Sequence, residues 1–185
     1  MTQNFRFSRH LLATAVALST FTLAQAATMT KPDYSAGKTR IGADYKTDKA
    51  ACAPMMGNAK DICVEEAKAK EKVARAELEF AYTGKAADGV KVRVARAETA
   101  YAVAKEKCDD QAGNAKDVCV KEAKAVEVKA LADAKVVKVV GEARSDAAKD
   151  VNDADYKVAA EKCDALAGDA KTACMNAAKA KFGKS

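Results

Sequence analysis

Six cysteines fall into three pairs with one spacing: Cys52 and Cys63, Cys108 and Cys119, Cys163 and Cys174. Each pair frames a near-copy of one phrase, CAPMMGNAKDIC, CDDQAGNAKDVC and CDALAGDAKTAC. The first cysteines recur at intervals of 108 − 52 = 56 and 163 − 108 = 55 residues, so the chain is a triplicated unit. Whatever one copy folds into, the other two are expected to repeat.

The repeat extends beyond its cysteines. Tyr45, Tyr101 and Tyr156 each stand seven residues before a first cysteine, and Gly57, Gly113 and Gly168 five residues after it. Each glycine is followed by Asn58, Asn114 or Asp169 and then by Ala-Lys. Glycine has no Cβ to clash in a left-handed helix C-cap. Asn or Asp can accept a free backbone N–H at the start of the next helix. The phrase therefore predicts a helix, a tight turn and a second helix, with a disulfide stapling the neck of an antiparallel hairpin. Six cysteines allow 15 connectivities, and identical local pairs in identical repeats favour nearest neighbours.

Alanine, lysine, glutamate and arginine dominate from about Ala43 onward, all strong helix formers. The fold class predicted is all-α: three tandem disulfide-stapled antiparallel helical hairpins, about six helices, as an elongated or loose bundle. The divisions are 1–26, a secretory signal; 27–42, a frayed lead-in; and hairpin repeats 43–88, 89–144 and 145–185. A loop is expected from Thr83 to Gly89; near Gly141 the expectation is a break or kink, the alternative being one long helix from about Ala115 to Leu166. Three apolar stripes at helical spacing mark seams. They are Val90, Val94, Ala97, Tyr101, Ala104 and Cys108; Ile62, Ala69, Val73, Ala76 and Phe80; and Val118, Ala125, Ala132, Val136 and Val139.

The signal reads from Arg6, Arg9 and His10, the apolar run Leu11 to Leu23, and the small-x-small site Ala24-Gln25-Ala26. The run is too short to span a membrane, so no transmembrane segment is expected after cleavage. Removing the segment takes away the sole histidine and two arginines, leaving 30 − 26 = +4 charges. Export and an even cysteine count point to an oxidising compartment, periplasmic or secreted.

Several chemistries compete for the same residues. The cysteines are expected to be structural disulfides; the alternative is a thiolate metal site at Cys52, Met55, Met56 and Cys63. The methionines, present only in the first copy, read as fillers over a helix end. The repeated tyrosines are expected to pack across each hairpin beside its disulfide. Lysines interleaved with acids form a solvated face rather than a nucleic-acid surface, leaving at most weak attraction to anionic envelope surfaces. With no mature histidine, no GxSxG and no phosphate loop, neither enzyme activity nor a cofactor is expected.

The segment AYAVAKEKCDDQAGNAKDVCVKEAKA, Ala100 to Ala125, resembles units of small exported Ala/Lys-rich proteins of Gram-negative bacteria, often labelled TolA-like or cell-envelope proteins. The resemblance covers nearly the whole mature chain and implies a periplasmic home. It suggests a non-enzymatic envelope structural, protective or protein-interaction module, whose partner is an envelope protein or a second copy. The alternatives are a periplasmic metal-binding or metal-stress protein using Cys and Met, and a chaperone-like stress protein.

Overall fold

A computed structural model describes residues 29–185; the expected signal, 1–26, lies outside them. Five helices follow one another: α1 Lys31–Ala51, α2 Gly57–Thr83, α3 Ala86–Cys108, α4 Gly113–Asp164 and α5 Gly168–Phe182. There are no strands among the described residues. Each helix packs only against its neighbours in sequence. The result is an open row, not a closed bundle, with α1 and α4 at its edges. At about 1.5 Å per residue, the 52-residue α4 is about 78 Å long. Its first part pairs with α3 and its last part with α5, while residues 135–151 are all exposed, those nearest α3 bordering the start of that helix.

Five helices replace the six expected because α4 runs straight through Gly141. The break fails there because a lone helical glycine costs only about 1 kcal/mol, and the strong helix formers Glu142, Ala143 and Arg144 follow it. The division drawn between residues 144 and 145 therefore falls inside one helix. The Thr83–Gly89 loop shrinks to Gly84 and Lys85, with Gly84 closing α2 at φ +63°. Gly89 lies inside α3, where a Cβ would stand 3.2 Å from Phe80 Cε2.

The lead-in is also ordered. Thr30 Oγ1 caps α1 by accepting from the Asp33 N–H, and Pro32 sits in the first turn, where its missing donor costs nothing. Tyr34, Gly37, Ile41 and Tyr45 then step by three, four and four along the face turned to α2. Tyr34 stacks on Tyr82 with ring centroids 4.4 Å apart and donates its hydroxyl to Glu79. Gly37 passes so close to Leu78 that a Cβ would meet its Cδ1 at 2.7 Å. The stripe is hard to read from sequence because one of its four members has no side chain.

Helix α3 is covered on two sides. Val90, Val94, Ala97, Tyr101 and Cys108 form the predicted stripe. A second one, Asp88, Val92, Ala95 and Thr99, lies about half a turn round the helix and is buried too. Asp88 survives burial because Lys91 Nζ (2.7 Å) and Thr83 Oγ1 (2.5 Å) both donate to it. Those two hydrogen bonds, Lys91 first, hold its carboxyl below the usual range.

The third predicted stripe requires correction. Val118, Ala125, Ala132, Val136 and Val139 face outward; the face of α4 against α3 is Val120, Ala123, Glu127, Ala130 and Ala134. The Cys108–Cys119 bond fixes which side of α4 meets α3, and Ala123, Glu127 and Ala134 share that side at helical spacing. Glu127 stays paired there, accepting from Lys124 Nζ at 2.5 Å.

At each neck the glycine opens the second helix instead of closing the first. Gly57, Gly113 and Gly168 all have φ +56°. The N-caps are Met56, Ala112 and Ala167, none with a side-chain cap bond, so Asn58, Asn114 and Asp169 are not the caps expected. They come two residues too late. A Cβ at Gly113 has open space, so Gly113→Ala carries only backbone strain, about 1–2 kcal/mol. A lowered thermal midpoint with unchanged disulfides is the expected result.

Candidate functional site

The residues singled out by the repeat assemble at the three necks. Cys52 follows α1, Cys108 ends α3 and Cys163 lies one residue from the end of α4; each bonds to a cysteine about two turns into the following helix. The pairs are Cys52–Cys63, Cys108–Cys119 and Cys163–Cys174, with Cα separations of 5.7, 5.7 and 5.6 Å. No described cysteine is free. Cys52, Cys108 and Cys163 are the largest fully buried side chains described. In a fold of thin alanine seams, the disulfides occupy the positions that a globular core gives to leucine or phenylalanine.

Two necks touch. Asn58, at the start of α2, donates through Nδ2 to the Glu106 carbonyl (3.0 Å) and to Asp110 Oδ1 (2.8 Å). Lys107 pairs with Glu66 at 2.9 Å beside it. The third neck lies at the far end of α4, with no counterpart of this link. Identical phrases thus occupy different surroundings: two necks side by side at one end, one alone at the other.

Tyr45, Tyr101 and Tyr156 are half-buried in the hairpin seams as expected, and each ring carries an ammonium over its face. Lys49 lies 5.9 Å from the Tyr45 centroid, Lys124 4.8 Å from Tyr101 and Lys184 5.9 Å from Tyr156. Sequence spacing placed the rings but not the cations, because two of the three lysines come from the opposing helix or the chain end.

Met55 and Met56 do not fill a helix end: they are 43% and 86% exposed. The turn after Cys52 lies open, with nothing above it to pack against. The sulfurs of Cys52 and Cys63 are joined to each other, so in this state they offer no pair of thiolates. Among the described residues, no cluster of three or more His, Cys, Asp or Glu side chains is arranged to hold a metal.

A polar clasp holds the C-terminal end of α5 against α4. Asp153 accepts from Lys149 (3.0 Å) and from Lys184, and Asn152 Nδ2 donates to the Phe182 carbonyl at 3.1 Å. Phe182 meets Tyr156 edge-on at 6.2 Å. Lys184, then Lys149, hold the Asp153 carboxyl down to about 2. A depressed carboxyl contributes stability above its unfolded value near 3.8 and loses it as pH falls through the folded value. Docking of the α5 end is therefore expected to weaken between about pH 4 and pH 2, read by the carboxyl and Phe182 ring shifts in NMR. Asp153→Asn should remove that step.

The remaining surface is alternating charge. Lys70–Asp48, Lys72–Glu98 and Arg96–Glu77 bridge adjacent helices at 3.2, 2.7 and 2.6 Å, all with exposed partners. Such pairs contribute little singly, about 0–1 kcal/mol. A shallow apolar notch of about 520 Å³ lies where α3 begins against α4, lined by Ala86, Val90, Val137 and Gly141 among others. Lys138, Glu142, Arg144 and Ser145 also line it. No described helix is long and apolar enough to cross a membrane. No protein-family model matches the chain, and comparison with curated proteins and with solved structures gave no match.

Proposed function

We propose that this chain is a non-enzymatic, disulfide-stapled helical-repeat protein of the periplasm, serving the envelope as a structural and protein-interaction module. The observation that carries the reading is the placement of all six cysteines in three disulfide-closed hairpin necks. Such bonds persist in an oxidising compartment, and here they replace the core that the composition withholds. The export signal and the resemblance to Ala/Lys-rich envelope proteins support the same location. The open row suits a module that works through its faces: most of every helix is accessible, and α4 extends well beyond its neighbours.

Fractionation of the host with complementation tests the proposal. The protein is expected in the osmotic-shock fraction, and deletion of its gene is expected to raise leakage of a periplasmic reporter under detergent stress. The intact chain should restore the barrier, and a chain with all six cysteines changed to serine should not. Cytoplasmic retention, or full rescue by the cysteine-free chain, would contradict it.

A further inference from the structure

The third disulfide differs from the other two in what surrounds it. A cleft of about 600 Å³ runs between α4 and α5 and opens onto Cys163 and Cys174. Phe182 and the charged groups Lys162, Lys181 and Asp155 also line it. Cys163 is 1% exposed and Cys174 half-buried, so Cys174 is the sulfur an incoming group can reach. Cys63 and Cys119 are half-buried as well, so exposure alone does not separate the bonds. The hold on the stapled helix does. Helix α1 is locked by the Tyr34–Tyr82 stack, by buried Ile41 and by the close pass of Gly37 at Leu78. The first neck is tied to the second through Asn58 and the Lys107–Glu66 pair, and α3 is covered on two sides. Helix α5 buries only Ala178 and packs only against α4. Its other ties are the exposed Lys171–Asp164 pair at 2.9 Å, which contributes little, and the Asp153 clasp at its far end.

A disulfide resists reduction to the extent that the fold keeps its freed thiols side by side, because re-closure then competes with release. Where the helix carrying one thiol can detach, opening is coupled to local unfolding and reduction is favoured. We propose that Cys163–Cys174 is a thiol–disulfide exchange site, opened selectively by a dithiol reductant, and that its opening releases α5. The reductant's thiolate attacks Cys174 Sγ and forms a mixed disulfide; the Cys163–Cys174 bond breaks and Cys163 Sγ leaves with the electron pair. The reductant's second thiolate then attacks its own partner sulfur in the mixed disulfide, and Cys174 leaves in turn. Both cysteines take up the protons given up by the two reductant thiols. The protein thus gains two electrons and two protons, and the dithiol ends as a disulfide. Lys162 and Lys181, against the single carboxylate of Asp155, leave the cleft net positive, which favours an anionic attacking group. Release of α5 uncovers Tyr156, on which Phe182 packs in the closed hairpin.

Graded dithiothreitol on the oxidised protein recovered from the host, quenched with acid and alkylated before peptide mapping, tests this. Cys163 and Cys174 should be labelled at a reductant concentration about tenfold below that needed by the other four cysteines. Ellipticity equivalent to one short helix should be lost in the same step. With the monothiol glutathione as the probe, trapped mixed disulfides should map to Cys174. Three bonds opening together, or either of the other two opening first, overturns the proposal. So does opening of the third bond with no change in ellipticity, which would show that α5 stays docked without its staple. Glutathione found on Cys163 instead of Cys174 overturns the direction of attack.

Discussion

Replacing Cys163 and Cys174 with serine is expected to release α5 while leaving α1–α4 folded. This helix has 15 residues and one buried side chain, Ala178. A helix of that length is marginal in water without tertiary support. Its support is one thin seam, the Asp153 clasp and the staple. The staple contributes roughly 3 kcal/mol by closing a loop of this size, more than the seam and the exposed ion pairs can replace. The expected observations are a loss of ellipticity equivalent to about one short helix and rapid tryptic cleavage at Lys171 and Lys179. Removing Cys108 and Cys119 should behave differently. That bond also contributes roughly 3 kcal/mol, but α3 and α4 share a long interface, so the thermal midpoint should drop without selective proteolysis. Equal responses to the two changes would mean that the hairpins do not differ in their dependence on the staples.

The second large effect is expected at Gly141. A proline there removes a backbone donor and pushes its ring into the preceding turn, costing about 3 kcal/mol or more in a helix interior. Because residues 135–151 are all exposed, the penalty should appear as a kink or break. Small-angle scattering should then report a reduced maximum dimension. Gly141→Ala should do the opposite. Apart from its chain neighbours and its own helix backbone, nothing lies within 4 Å of the Cβ it would add, so it should stabilise the helix by up to about 1 kcal/mol. If the segment were a loop or flexible joint, proline would be tolerated and alanine would do little.

The hairpin architecture was legible in the sequence because one phrase occurs three times, and each occurrence carries a turn glycine between two cysteines. Other features were obscured by physical ambiguity. An alanine-rich helix offers several stripes of similar weight, so Val118–Val139 looked like a seam until the Cys119 bond fixed which side faces α3. The second buried face of α3 includes Asp88 and Thr99, which a search for apolar spacing passes over, although Thr83 and Lys91 satisfy the carboxylate. Order in α1 rests on Tyr34, Ile41 and a glycine that lets Leu78 approach. Gly141 shows the converse: glycine punctuates a chain only where neighbouring signals agree, and here Glu142, Ala143 and Arg144 favour continuation. At the necks, sequence named the right residues but gave Asn58 the wrong task. It links two hairpins instead of capping one helix.

The account depends most on the three necks being closed disulfides in the native protein. Alkylation of the isolated protein under denaturing conditions without reductant, followed by intact-mass measurement and peptide mapping, tests this most directly. The expected result is no adduct on any cysteine until reduction, then six, with linked peptides pairing Cys52 with Cys63, Cys108 with Cys119 and Cys163 with Cys174. Adducts before reduction, or linked peptides joining different repeats, would contradict it.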